Sequence, residues 1–340
     1  MSEAWKQYVA GSMSATVAVV FSNPLDVVKT RMQLQGELQR KGGQAFKNPL
    51  QAMWLIFRQE GLAGIQRGLS ASIPHQMTMN GLRIGTYGHV TQTSRFFSHS
   101  DSSLAFVTKR LALAFGCGFC ANFLSSPFYL MKVRFQAFSP HTTTAVGAQH
   151  RYGSLPAALS QVFSQATGVD RSAAGLLRGV RALYQGAVAG SLRIGGAGSV
   201  QLATYDSSKR LLTNCDFSSL SALTASLGTR GSPQQHGAQE TDYLFRRQRP
   251  IVLHISAALM SGIAVQTLTS PLDVVSTRLY NQSATNQQYN GVADAVGKIL
   301  KAEGIRGFYK GALSGWLRVG PHTLCTFVFL EKFRKAFETL

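Results

Sequence analysis

The chain is poor in acid: 15 Asp and Glu stand against 34 Lys and Arg, a formal charge of +19 over 340 residues. Such an imbalance points to anionic partners, whether nucleic acid, acidic lipid or a small anion. No RNA-binding signature, aromatic-interleaved basic stripe or zinc-finger spacing accompanies it, so nucleic acid is a poor fit. Cysteine is scarce too. The four present (Cys117, Cys120, Cys215, Cys325) have no framework spacing. Cys117 and Cys120 form a CxxC inside an apolar Gly-rich run with no second pair, which reads as helix packing rather than metal or redox chemistry. Also missing are a phosphate loop, a nucleophile elbow, a paired-His metal motif and a convergent acid/base set, so the chain does not read as an enzyme and implies no cofactor or metal. The N-terminus has neither the charged nor the apolar region of a secretory signal.

What the chain does have is repetition. Pro24, Asp26, Lys29 and Arg31 recur at the same offsets as Pro127, Tyr129, Lys132 and Arg134, and again as Pro271, Asp273, Ser276 and Arg278. A unit occurring three times reads as one supersecondary element set about a pseudo-threefold axis, since a single unit could not bury its own apolar face. The mean hydropathy of +0.02 is low for a membrane protein. Nevertheless the apolar residues cluster into stretches long enough to span about 30 Å of hydrocarbon, as in a bundle around a wet cavity. Six spans are expected, at about 5–35, 68–96, 106–138, 184–212, 249–281 and 311–337. Between the members of each pair lies a short amphipathic stretch, at 49–59, 155–165 and 292–302. The fold class is therefore an all-α membrane protein of six transmembrane helices in three pseudo-threefold repeats, each with a short surface helix. Repeat 1 covers 1–100, repeat 2 covers 101–213, a flexible loop 214–248, and repeat 3 covers 249–340. A smaller insertion, 168–181, precedes the fourth span, and neither insertion looks catalytic.

Each proline removes a backbone hydrogen bond inside its helix and should bend the odd-numbered helices toward a common axis. The acid two residues after it and the base five residues after it share one helix face. They are either ordinary helix-end charges or a gate; ionisable groups at membrane depth are costly, which favours the gate.

With this motif present three times, and Glu60-Gly61 and Glu303-Gly304 preceding basic-Gly pairs (Arg67-Gly68, Lys310-Gly311), the chain resembles the mitochondrial carrier family over nearly its whole length. Its even helices, carrying Arg193 to Tyr205 and Leu317 to Thr323, are similar to the oxaloacetate carrier branch, which is associated with oxaloacetate, malonate, isopropylmalate and sulfate. The resemblance implies a monomeric, multi-pass protein of the mitochondrial inner membrane with both termini toward the intermembrane space. It also implies a small anionic substrate and cardiolipin bound at the short matrix helices. A proton-linked or uncoupling-type anion carrier, another dicarboxylate exchanger of the family, and a basic membrane protein without transport activity are the rival readings.

The resemblance further implies that each acid pairs with the base of the next repeat. The matrix gate would then consist of Asp26 with Lys132, Asp273 with Lys29, and Tyr129 with Ser276. Both departures fall on one pair, leaving no orphan charge. A Tyr–Ser hydrogen bond there would contribute about 0.5–1.5 kcal/mol. At the opposite end the cytoplasmic gate survives as Asp206, Lys209, Glu331 and Arg334; repeat 1 has Gly88 and Thr91 there and supplies no charge opposite Lys209 and Glu331. This gate should be the weaker one, which favours an outward-open resting state.

Aligning the even helices on Tyr87, Tyr205 and Leu330 places His75, Arg193 and Arg318 at one level, with Arg83 and Gln201 about two turns farther along. Two guanidinium forks can each grip an oxyanion in bidentate fashion while a third group fixes orientation, as a dicarboxylate requires. The alternative is that each arginine snorkels to a headgroup. No acid lies between Arg193 and Tyr205 or between Arg318 and Leu330. Substrate contact is therefore expected for His75, Arg83, Arg193, Gln201 and Arg318.

Overall fold

The computed structural model describes residues 2–37, 45–93, 103–168, 172–214, 259–283 and 287–338. The 214–248 loop, apart from Asn214, and the start of the fifth expected span lie outside them. Long helices run over Ser2–Leu34 (α1), Leu69–Thr93 (α3), Ser103–Ala137 (α4), Ala187–Asn214 (α7), 259–281 (α8) and Ala312–Glu338 (α10). At 1.5 Å per residue, helices of this length reach roughly 35–50 Å. Shorter helices lie between them at Pro49–Ile65 (α2), Leu155–Thr167 (α5), Ala173–Leu183 (α6) and Val292–Glu303 (α9), the last followed by a 3-10 turn over Ile305–Tyr309. The insertion before the fourth span contains a helix, α6. It starts at Ser172, whose side chain accepts a hydrogen bond from the Gly175 N–H.

Among the described residues one helix, within Ala105–Ala137, is long and apolar enough by composition alone to cross a bilayer. The other long helices are diluted by polar residues that turn inward. Asp26, Lys29, Arg31, Lys132, Arg134, Asp273 and Arg278 are all buried, while Phe21, Leu124, Val188 and Leu268 point outward. This inverted arrangement explains the low mean hydropathy: an apolar exterior encloses a polar interior.

The helices form a ring in which the two ends of the chain meet, α1 packing along both α3 and α10. Small residues permit the closest approaches. A Cβ on Gly118 of α4 would lie 3.2 Å from the Ile194 carbonyl of α7, and one on Gly195 would lie 2.9 Å from the Phe115 carbonyl. The CxxC therefore sits on this packing seam, with Cys117 buried and Cys120 exposed. The even-numbered spans, α3, α7 and α10 (the even helices, as α1, α4 and α8 are the odd ones), each begin at a glycine of positive φ (Gly68, Gly186, Gly311). A Cβ there would press on the residue nine beyond the proline of the next odd helix: Gln136, Tyr280 and Gln33 respectively. The contacts follow the order 1 to 2, 2 to 3, 3 to 1, so the backbone itself keeps the cyclic relation.

Candidate functional site

At the proline end the odd helices converge on two ion pairs. Lys132 Nζ donates to Asp26 Oδ2 at 2.9 Å, joining α4 to α1. Lys29 Nζ lies 2.5 Å from Asp273 Oδ2, joining α1 to α8. Tyr129 and Ser276 do not form the third pair. Ser276 Oγ donates instead to the Asp273 carbonyl of its own helix at 2.9 Å. The α4–α8 junction is aromatic: the Tyr129 and Tyr280 rings meet edge to face at 4.9 Å, and the Tyr280 and Ser126 hydroxyls share a hydrogen bond of 2.7 Å. The physical reason is reach. A serine side chain cannot cross a gap that the other repeats span with lysine, so ring contact fills it.

Beneath the ion pairs lies a layer of amides. Gln33 Nε2 donates to Asp273 Oδ2 at 2.8 Å while Gln33 Oε1 accepts from Thr277 at 2.9 Å. Gln136 Oε1 accepts from Thr30 at 2.9 Å and its Nε2 donates to Asn23 at 3.1 Å. Farther out, Arg31 forms a two-pronged pair with Glu60 (2.5 and 2.9 Å) and Arg278 one with Glu303 (2.6 and 2.9 Å). Repeat 2 has Thr167 before its glycine, where these repeats have glutamate. Arg134 turns to neutral acceptors: the Tyr152 hydroxyl, the Gln185 side chain and the carbonyls of Tyr280 and Gln282.

The segment 138–154 gives no such signal in the sequence, yet it straps the closed end. Ser139 Oγ donates to Glu60 at 2.8 Å, and Thr143 to Gln59 at 2.9 Å. Val146 is buried with Leu34 and Phe46. On the other side His150 Nε2 lies 2.8 Å from the Asn281 carbonyl. The Asn281 amide, oriented to suit its neighbours, accepts from the Ala148 N–H at 2.9 Å. Burial pushes the His150 imidazole down to about 4, with the Arg134 charge adding to the effect, against a raising hydrogen bond to Asn281. For Glu60, burial raises the carboxyl, but the hydrogen bond and charge of Arg31 outweigh it and hold it below its ordinary value.

Above this floor lies a cavity of about 470 Å³ whose walls include His75, Arg83, Arg193, Gln201 and Arg318. All five residues expected to contact substrate thus face one space, and neither arginine snorkels outward. The arginines have acidic neighbours after all, supplied by other helices: Arg318 Nε lies 2.8 Å from Asp26 Oδ1 and Arg193 Nε 3.5 Å from Asp273 Oδ1. His75 occupies the corresponding place against Tyr129, ring to ring at 4.9 Å. Each even helix therefore sets its residue against the proline-plus-two position of the next odd helix. Where that position lacks a carboxylate, the partner lacks a guanidinium. Local sequence windows hide this match because the two residues are 54 positions apart.

Of the cytoplasmic gate residues, Glu331 is exposed; the side chains of Asp206, Lys209 and Arg334 lie outside the described residues. The model for the family described as "Mitochondrial carrier protein" matches residues 1–97, 104–215 and 247–339, one match per repeat. The chain belongs to the mitochondrial carrier family. Similar relatives include solute carrier family 25 member 35 of Mus musculus, 32% identical over 98% of both chains. The mitochondrial oxaloacetate transport protein of Saccharomyces cerevisiae is 30% identical over 96% of this chain and 88% of its own. A mitochondrial citrate transporter E of Aspergillus niger is 30% identical over all of this chain and 96% of its own. The carrier is accordingly a multi-pass transport protein of the mitochondrial inner membrane. Its proline motifs, its cyclic contacts and its polar interior are parts of one transport fold.

Proposed function

We propose that this carrier moves small dicarboxylates and oxo-acids, such as oxaloacetate, malonate, isopropylmalate and sulfate-like anions, by alternating access through the central cavity. One observation carries the reading: at the cavity floor four cations (Lys29, Lys132, Arg193, Arg318) face two carboxylates (Asp26, Asp273). The excess of two positive charges suits a dianion. The relative named as an oxaloacetate transport protein agrees with that chemistry.

The geometry supplies a coupling. Arg193 and Arg318 lean on the same aspartates that hold the matrix gate shut. A substrate dianion gripped by both arginines competes with Asp273 and Asp26 for them, and so alters the balance of the ion pairs to Lys29 and Lys132. Substrate shifts the equilibrium because it binds the occluded intermediate better than either end state; equal binding to all states would shift nothing. Asp26, Lys29, Tyr129, Lys132, Asp273 and Ser276 form the matrix gate in this reading, and Asp206, Lys209, Glu331 and Arg334 the cytoplasmic gate. The closed proline end, together with the charge-poor opposite gate, supports an outward-open resting state. Both termini then face the intermembrane space, the carrier works as a monomer, and cardiolipin occupies the junctions between repeats. A cavity lined by Gln185, Gly186, Asn290 and Gly291 suits that last role.

A second reading, a tricarboxylate carrier, is favoured by Arg83, which lines the same cavity about two turns above His75 and offers a third cation. Reconstitution in liposomes separates the two. We expect labelled malonate, oxaloacetate or sulfate to be taken up against an internal panel of carboxylates, and Arg318→Ala to abolish uptake while the variant's unfolding temperature in detergent stays near the parent's. Undiminished uptake in Arg318→Ala would refute the site. Citrate uptake lost selectively in Arg83→Gln would establish the second reading.

A further inference from the structure

The surface segment between two glycine turns of positive φ differs in one repeat. Gly61 to Gly68 and Gly304 to Gly311 each take seven steps, whereas Gly168 to Gly186 takes eighteen, and all six glycines have positive φ. The same turns therefore bracket a longer piece in repeat 2, and that piece is α6. In the shorter repeats the residue after the first glycine, Leu62 or Ile305, is 70% or 71% exposed. In repeat 3 Tyr309 is exposed as well, at 43%, whereas α6 carries a helical stripe: Leu176, Leu177 and Val180 are 57%, 70% and 42% exposed.

Helical spacing at 100° per residue sorts α6 into three faces. Gly175 and Gly179 are buried, and a Cβ on Gly179 would collide with Phe163 and Thr167, so this face is sealed against α5. The apolar stripe faces away from it. Arg178 and Arg181, both exposed, lie along its flank, and α6 contains no acid. An apolar stripe beside a basic one, on a short helix leading directly into the long helix α7, is the pattern of a helix lying in a membrane interface. Val188, at the start of α7, is exposed as well, so the stripe is continuous with the bilayer-facing surface that family membership establishes.

We infer that α6 is an interfacial membrane helix: Leu176, Leu177 and Val180 enter the acyl boundary, and Arg178 and Arg181 engage anionic lipid headgroups. Repeat 2 thereby gains an apolar helical stripe between its two glycine turns, where repeat 1 exposes Leu62 and repeat 3 exposes Ile305 and Tyr309. The arginines stand at headgroup depth, where cations near an anionic leaflet are favoured.

The test is independent of transport. Leu177→Cys, in a background with Cys117, Cys120, Cys215 and Cys325 changed to alanine, is labelled with an environment-sensitive fluorophore. The protein is reconstituted in phosphatidylcholine vesicles with or without phosphatidylglycerol, and Gln165→Cys on the exposed side of α5 serves as the control. We expect position 177 to be quenched by lipid-borne bromine and shielded several-fold from aqueous iodide relative to position 165, more so in the anionic vesicles. Arg178→Gln with Arg181→Gln should remove the increment due to phosphatidylglycerol. Iodide reaching both positions equally in both vesicles would overturn the inference. So would shielding seen in mitochondria but absent from pure lipid, which would mark a protein partner instead. Uptake assays on the same vesicles report the substrate reading separately.

Discussion

The α1–α4 and α1–α8 junctions are ionic, while the α4–α8 junction is aromatic, although the same motif builds all three. Aspartate and lysine meet at the first two; at the third, Tyr129 packs on Tyr280 and Ser276 withdraws to its own helix. The difference extends beyond the junction. His75 replaces an arginine above it, and below it Arg134 has neutral acceptors where Arg31 and Arg278 have glutamates. At the junction and above it each missing charge is matched by the loss of its partner, whereas below it Arg134 keeps its guanidinium and satisfies it with neutral acceptors. An unpaired buried ion costs far more than a missing pair.

The largest expected effect comes from breaking a matched pair in an ionic sector. Glu60→Gln leaves the fully buried Arg31 guanidinium uncompensated and should lower stability by about 3–5 kcal/mol, read as a fall in unfolding temperature in detergent. Arg134→Gln, in the sector without glutamate, should cost about 1–3 kcal/mol, the loss of hydrogen bonds alone. Equal losses in the two variants would mean that the sectors do not differ electrostatically.

Restoring the missing charges sharpens the contrast. Tyr129→Asp and Ser276→Lys should each destabilise singly by leaving a lone charge, whereas the double variant should recover a favourable coupling of roughly 0.5–3 kcal/mol in a double-mutant cycle. Zero coupling would show that the third junction cannot adopt the geometry of the other two.

The strap offers a pH handle. His150 is held neutral, its value depressed from 6.5 to about 4, so the unfolded or released segment binds the proton more readily. Stability from this group is present above pH 6.5 and lost as pH falls toward 4. The protection factors of residues 144–150, taken against intrinsic exchange at each pH, should fall across that window, and His150→Gln should flatten the response. A parent profile with no change there would remove His150 from the closure. The smallest effect belongs to Tyr129→Phe: the tyrosine contacts its neighbours through its ring, so stability should move by less than about 0.5 kcal/mol.

Much of the architecture was legible because helix periodicity and the thrice-repeated proline motif are local signals. The bounds expected for the first span, 5–35, fall close to Ser2–Leu34, and those for the last, 311–337, close to Ala312–Glu338. Helix α6 was not foreseen although its Leu176, Leu177, Val180 and Leu183 follow helical spacing, because it lies in an insertion that the other repeats do not match. The strap was not legible at all. Its contacts to Glu60 and Asn281 are long-range hydrogen bonds of small polar side chains, which leave no periodic trace.

Sequence alone determined the three repeats, the inward-facing charges and the level at which His75, Arg193 and Arg318 stand, because each follows from spacing along one helix. Tertiary structure decided which groups those residues touch. Arg193 and Arg318 rest on the gate aspartates, and Ser276 abandons Tyr129, because reach and burial across a packed interface depend on distances between helices that no single stretch of chain encodes.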